Sequence, residues 1–238
     1  MIFDNYFKTT EKLRWKLEDD IPWKSIDRKK AKTQKDIIKI LRDATLIESY
    51  APISHMRMLE VHWDDIDVSG VLSIQLFEEY KHYHVLKKYL DAIGEGISDE
   101  EILEKRHKNR NAPPDRSDPT TQLAKYFMSE HFTGHFYLGL VERAKEPVLK
   151  KILKLIAGDE FRHSQLYYDL LKDKLAENPK LGDTVIQFAL NFEHFGAEVV
   201  DEVPISHKND FKAIVSFARK VEQLTGKSPQ DYIRERMA

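Results

Sequence analysis

The stretch 153–167, LKLIAGDEFRHSQLY, decides the fold. Its apolar residues recur at intervals of three and four, the period of an α-helix, yet an acid stands in the middle of the apolar face. Leu153, Ile156 and Ala157 lie seven, four and three residues before Glu160, and His163, Ser164 and Tyr167 lie three, four and seven after it. Residues so spaced share one side of a helix. A helix turns such a side inward, where an unpaired carboxylate costs on the order of several kcal/mol. The stretch 72–86, LSIQLFEEYKHYHVL, repeats the anomaly: Leu72, Gln75 and Leu76 precede Glu79, and His82, Tyr83 and Leu86 follow it. Two further acids stand on apolar faces without a histidine three residues on. Glu48 sits among Leu41, Ala44, Thr45, Ala51 and His55, and Glu130 among Leu123, Tyr126, Phe127, Thr133, Gly134 and Tyr137. Something must compensate these four carboxylates.

A pair of metal ions would do so. Glu79-Tyr-Lys-His82 and Glu160-Phe-Arg-His163 each present an oxygen and a nitrogen from one helical face. Glu48 and Glu130 add one carboxylate each from two further helices. One Glu from each of two helices plus Glu-x-x-His from each of two others is the ligand set of ferritin-like dimetal bundles. Four carboxylates balance two divalent ions, and oxygen with imidazole ligands suits iron or manganese. The acids fall at 48, 79, 130 and 160, intervals of 31, 51 and 30 residues. The two shorter intervals fit antiparallel helical hairpins and the longer one a crossover. A third Glu-x-x-His, Glu104 to His107, lies in a charged connection and reads as coincidence. Two alternatives stand beside this reading. The acids could form buried pairs with His and Arg in a metal-free bundle, and Glu60 or Asp43 could replace Glu48 if the first helix is differently registered.

The rest of the chain agrees with a helical bundle. It has 238 residues, 33% charged and 41% hydrophobic, with 9 Gly and no Cys. Gly is well below the usual ~7%, which disfavours turn-rich β folds. Without Cys there is no disulfide scaffold, thiolate-bound zinc, iron–sulfur cluster or thiol nucleophile. Lys+Arg 38 against Asp+Glu 40 offers no basic field for nucleic acid. No apolar run is long enough for a membrane-spanning helix, and the N-terminus does not read as a signal peptide. The expectation is therefore a soluble, cytoplasmic protein. Periodicity predicts helices at 34–61, 70–93, 98–107, 119–144, 147–175, 180–201, 208–224 and 229–236, with a polar connection over 104–118. Ser98 to Glu101 reads as a capping box; Asp118-Pro119 and Ser228-Pro229 read as helix starts. The fold expected is all-α: a four-helix core (34–175) in a single domain (1–238). A peripheral N-terminal segment (1–33) and accessory C-terminal helices (176–238) complete it.

These motifs resemble those of the soluble acyl-[acyl-carrier-protein] desaturases, a ferritin-like diiron family. Asp159-Glu160-Phe-Arg-His163 is similar to the family's D-E-K-R-H, and Glu78-Glu79-Tyr-Lys-His82 to its E-E-N-R-H with Tyr and Lys substituted. Asp43 to Pro52 resembles G-D-M-I-T-E-E-A-L-P in the spacing from acid to proline, and Glu130-His-Phe-Thr133 resembles E-R-A-T. Trp15 to Pro22 is similar to W-x-P-x-D-F-L-P. Looser similarity runs through Thr184 towards Asp231 and Tyr232, so that it spans roughly 12–235.

The resemblance implies that Glu79 and Glu160 bridge two irons, with Glu48, Glu130, His82 and His163 as terminal ligands. Thr133 would place a hydroxyl beside the oxygen-binding face; equally, it could bond to the carbonyl one turn back. Asp159 and Trp15 would lead from a ligand histidine towards the surface as an electron path, although Asp159 could simply orient the histidine and Trp15 simply pack. The implied chemistry is dioxygen-dependent formation of a cis double bond in a carrier-bound acyl chain, with electrons from a ferredoxin-type donor. Phe127, Phe132 and Tyr137 are candidates to line the acyl channel. An acidic acyl carrier protein or other acyl carrier would dock on basic residues such as Lys24, Arg28, Lys29, Lys30 and Lys32, and a homodimer is implied. Residues 62–69 and 104–118 depart from the family, as does the short C-terminus, so the metal site transfers better than the substrate. The alternatives are another ferritin-like oxygenase or oxidase, or a non-catalytic iron-binding protein.

Overall fold

In the computed structural model, which describes residues 1–109, 117–192, 200, 204 and 210–237, every regular element is a helix. The α-helices are α1 (Ile2–Leu13), α2 (Arg28–Lys32), α3 (Lys35–Glu48), α4 (Ala51–Val61), α5 (Ile66–Ile93), α6 (Asp99–Asn109), α7 (Pro119–Arg143), α8 (Pro147–Glu177), α9 (Leu181–Leu190), α10 (Phe211–Thr225) and α11 (Pro229–Met237). A 3₁₀ turn, Trp23–Ser25, lies between the first two. The core is built from α3, α5, α7 and α8, which carry the four acids. A short connection makes α7 and α8 a tightly packed hairpin, while α3 and α4 lie on α5. α9 and α10 pack over α7, and α11 against both.

Side-chain chemistry sets the helix ends. Asp65, Asp118, Glu146 and Asp210 each accept a hydrogen bond from the amide three residues on, capping α5, α7, α8 and α10. The Ser98 hydroxyl likewise accepts from Glu101 N at 3.1 Å. α5 ends at Gly94, whose φ of 77° lies in the left-handed region that glycine tolerates.

The helix expected over 34–61 is broken. Pro52 has no amide hydrogen, and its ring cannot coexist with a continued helix through the carbonyl four residues back, that of Glu48. The last turn tightens instead, Tyr50 N donating to Ile47 O at 2.9 Å, and Arg106 Nη2 donates to the freed Ser49 carbonyl. Glu48 is thereby the terminal residue of α3. The expected helix 180–201 stops at Leu190, and its continuation over 193–199 lies outside the described residues. α6 runs two residues past the expected helix end and so takes up 104–109 of the expected polar connection, of which 110–116 lie outside the described residues.

The N-terminal 33 residues are not peripheral throughout. α1 forms because its first two amides, Ile2 N and Phe3 N, donate to Asp67 of α5, both at 3.2 Å. Tyr6, Trp15 and Ile21 are buried. The basic residues Lys24, Arg28, Lys29, Lys30 and Lys32 are all exposed.

Two apolar clusters fill the bundle. One holds Leu41, Leu86, Tyr89, Leu140, Ile152 and Ile156. The other holds Leu72, Leu123, Phe127, Leu170, Val185 and Phe217. On α5, α7 and α8 alike, the chain passes from one cluster to the other through a short polar stretch. These stretches contain Gln75–His82, Ser129–Thr133 and Asp159–Ser164, and they lie side by side as one buried polar layer. Among the described residues no helix is long and apolar enough to cross a membrane.

Candidate metal centre

Within the polar layer, two groups of side chains converge. Glu48, Glu79, His82 and Glu160 form one; Glu79, Glu130, Glu160 and His163 form the other. In each, one ligand atom per residue lies within 4.8 Å of all the others, and every residue is buried. Glu79 and Glu160 belong to both. The structure thus brings together all six residues expected from the sequence. Glu60 is exposed and stands apart, as do Glu104 and His107 of the third Glu-x-x-His.

Both imidazoles turn Nδ1 inward. His82 Nδ1 is 3.3 Å from Glu160 Oε1 and 3.7 Å from Glu79 Oε2. His163 Nδ1 is 2.8 Å from Glu79 Oε1 and 3.3 Å from Glu160 Oε2. Their Nε2 atoms point outward and are held across the helix pair. His82 Nε2 meets Asp159 Oδ2 at 3.1 Å, and His163 Nε2 meets Glu78 Oε2 at 3.0 Å. Each acid that precedes a ligand glutamate therefore orients the histidine of the other helix. Arg162 joins the two, donating to Asp159 Oδ1 and Glu78 Oε1, both at 2.6 Å. This outer layer fixes ring orientation, as metal-binding imidazoles commonly require.

The N-terminal segment completes that layer. Trp15 Nε1 donates to Asp159 Oδ2 at 2.8 Å and Tyr6 Oη to Glu78 Oε2 at 2.8 Å. Lys81 Nζ lies 3.4 Å from Asp159 Oδ2 and 4.1 Å from the centre of the Trp15 ring. Trp15, Asp159 and His82 are thus continuous by hydrogen bonds.

Protonation follows from burial and from the crowding of charge. Burial raises Glu48 and Glu130 well above the ordinary carboxylate range, and the charges of Glu79 and Glu160 push them further. Glu79 and Glu160 go the other way: burial is outweighed by the charges and hydrogen bonds of His163 and His82. The histidines in turn are raised well above their usual value against burial. Glu160, Asp159 and Glu79 hold the proton on His82; Glu79, Glu160 and Glu78 hold it on His163. Tyr137 is raised by burial and by Glu48, so that its hydroxyl stays a donor.

These states test the fit of a metal pair. Two neutral glutamic acids, two carboxylates and two imidazolium ions sum to zero charge. Four carboxylates, two neutral imidazoles and two divalent ions also sum to zero. Four protons and two divalent ions are therefore interchangeable without leaving net charge in the buried layer. In addition, His82 Nδ1 and Glu160 Oε1, 3.3 Å apart in the first group, are buried atoms that make no regular hydrogen bond. The residues fit two hard divalent ions.

The remaining candidates are placed differently. Thr133 Oγ1 donates to Ser129 O at 2.9 Å, the back-bond to the preceding turn. Tyr137, a candidate to line the channel, is buried and its hydroxyl donates to Glu48 Oε1 at 2.6 Å. Phe127 and Phe132 pack in the apolar cluster, with their ring centres 5.7 and 5.2 Å from that of Phe217.

Several functional neighbours have no role in the motif reading. Gln75 donates through Nε2 to Glu130 Oε1 at 3.1 Å and Glu79 Oε1 at 3.2 Å, and accepts from Tyr167 Oη. Glu78 carried a signal, since an acid precedes both copies of Glu-x-x-His. Tyr6 and Arg162 carried none that spacing reveals.

Helices, buried carboxylates and paired Glu-x-x-His motifs define a helical bundle with a buried carboxylate–histidine site. No family profile matches the sequence, and no curated protein does. Solved structures do match. A mutant R2-like ligand-binding oxidase with a non-activated Mn/Mn cofactor shares 16% identity over 98% of this chain and 89% of its own, with TM-score 0.59. Another mutant of an R2-like ligand-binding oxidase, with an aerobically reconstituted Mn/Fe cofactor, shares 14% identity over 97% and 86%, with TM-score 0.56. At such identities the likeness establishes the fold, which is ferritin-like.

Proposed function

We propose that the chain is a dimetal oxidoreductase that uses dioxygen to oxidise a small or carrier-tethered substrate. One observation carries this reading: two four-residue groups share Glu79 and Glu160, so that the six residues together would hold two ions. The metals would be iron, manganese or one of each; the structurally similar oxidases carry Mn/Mn and Mn/Fe cofactors. Bound at this site, such ions supply the reduction of dioxygen and the oxidation of unactivated carbon, which no side chain provides.

The protein's own part is to bind, orient and insulate. Glu48, Glu79, His82, Glu130, Glu160 and His163 would be the ligands. Glu78 and Asp159 fix the imidazoles, and Arg162 neutralises both acids. The two apolar clusters exclude bulk water from the layer between them. Asp159 and Trp15 would connect His82 to an external electron donor of the ferredoxin type. Thr133, one turn beyond Glu130, would hold a proton near the site whenever its hydroxyl leaves Ser129 O.

Acyl-carrier desaturation is the narrower reading. It rests on the motif resemblance, and with it go the docking of a carrier on Lys24 to Lys32, the homodimer and the channel roles of Phe127 and Phe132. The broader reading is the better supported, because it needs only the site and the fold. The test is anaerobic loading with Fe(II), then dioxygen and a reductant with acyl carriers of graded length and with small amines, aldehydes and acids. Products are read by mass. Loss of two hydrogens supports desaturation; gain of one oxygen supports another oxygenase. Iron uptake far beyond two ions per chain, without substrate oxidation, would favour storage.

A further inference from the structure

Each terminal carboxylate of the site already has one oxygen engaged. Tyr137 Oη donates to Glu48 Oε1 at 2.6 Å, and Gln75 Nε2 donates to Glu130 Oε1 at 3.1 Å. The oxygens left over face the imidazoles: Glu48 Oε2 is 4.0 Å from His82 Nδ1, and Glu130 Oε2 is 3.9 Å from His163 Nδ1. The two donors differ in chemistry and lie on different helices, yet they treat their partners alike.

Neither donor can readily turn away. Tyr137 and Gln75 are fully buried, so water does not compete for them. Gln75 is oriented in addition by Tyr167, whose hydroxyl donates to Gln75 Oε1. With its oxygen so occupied, the amide must aim its two N–H bonds at the carboxylates of Glu79 and Glu130. A flipped amide would set its oxygen against the acceptor oxygens of Glu79 and Glu130 and its nitrogen against a donor.

We propose that Tyr137 and Gln75 are positioning residues that restrict Glu48 and Glu130 to one metal-binding oxygen each. The proposal rests on the dimetal reading above. A carboxylate that binds an ion through both oxygens takes two coordination positions. Iron and manganese with oxygen-rich ligands favour about six positions in all. One atom from each of four residues leaves about two positions open on each ion; a bidentate terminal acid would close one of them. The two donors therefore set how much of each ion is available to dioxygen, water or substrate.

The test uses the full chain, labelled with ¹³C at the glutamate carboxyl, and infrared difference spectra between its Mn(II)-loaded and metal-free forms. The separation of the two carboxylate stretches is wide for one-oxygen binding and narrow for two-oxygen binding. Wild type should show widely split bands for the terminal acids. Tyr137→Phe removes only a hydroxyl, and Gln75→Met keeps the length of the side chain. Each variant should gain a narrowly split pair while still binding two ions. A role in folding alone would lower thermal stability and leave the splitting unchanged. A variant that binds two ions with the wild-type spectrum removes its residue from the proposal, and two such variants overturn it while the dimetal reading stands. Failure of wild type itself to bind two ions overturns both.

Discussion

Metal uptake at this site should be driven by proton displacement, and the number of protons follows from the structure. In the metal-free layer His82, His163, Glu48 and Glu130 hold protons: burial and the charges of Glu79 and Glu160 raise the two acids, and neighbouring carboxylates raise the two histidines against burial. Binding two divalent ions through these residues removes all four protons. Where all four are held, the overall constant for two ions should rise about 10⁴-fold per pH unit, equivalent to about 5.5 kcal/mol. The sign is fixed: uptake weakens as pH falls and strengthens as pH rises. The slope flattens once pH passes the raised values of these groups. Calorimetric titration with Mn(II) near pH 6, in buffers of different ionisation heat, reads the released protons directly. Glu48→Gln should lower the count by one. Release close to zero in wild type would refute the reasoning, since the ions would then be bound elsewhere or by groups already deprotonated.

Other consequences concern the layer around the site. Arg162→Leu leaves Glu78 and Asp159 buried without their shared cation, and urea denaturation of the metal-free protein should show a loss of about 3–5 kcal/mol. His131 is buried, its Nε2 meets Ala213 O at 3.1 Å, and burial pushes it down to about 4. Its folded value lies below the unfolded one of ~6.5, so stability is full above pH 6.5 and is lost towards pH 4, by about 3 kcal/mol. His131→Gln should flatten that part of the stability–pH curve; an unchanged slope would contradict the assignment. At Gly134 an added Cβ would stand 2.8 Å from Phe161 of α8. Gly134→Val should therefore cost about 1–3 kcal/mol in a melting experiment by forcing α7 and α8 apart.

The six converging residues were legible because burial penalises charge: four acids on apolar faces, two followed by histidine, leave few solutions. The helical core was legible from periodicity for the same reason. What spacing could not show is which partners meet across helices. Glu78 and Asp159 each serve the histidine of the other helix, and Tyr137 reaches Glu48, 89 residues away in sequence. As an aromatic residue on an inward face, Tyr137 read as channel lining; spacing gave no sign that its hydroxyl bonds to Glu48. Gln75 stood on the face of Glu79, one turn before it, but a lone amide does not announce its acceptors. α1 escaped because its N-terminal cap, Asp67, comes from another helix. The break after Glu48 was visible in Pro52, and the apolar periodicity that runs through it masked the stop.

Metal content and coupling test the site most directly. The purified full chain, stripped and reconstituted anaerobically with Mn(II), should hold two ions per chain. Its electron paramagnetic resonance should be that of an exchange-coupled pair, since Glu79 and Glu160 belong to both groups. Glu160→Ala should abolish the coupled signal and leave at most one ion. A reconstituted wild type that holds neither manganese nor iron, or a Glu160→Ala variant that retains two coupled ions, would contradict it.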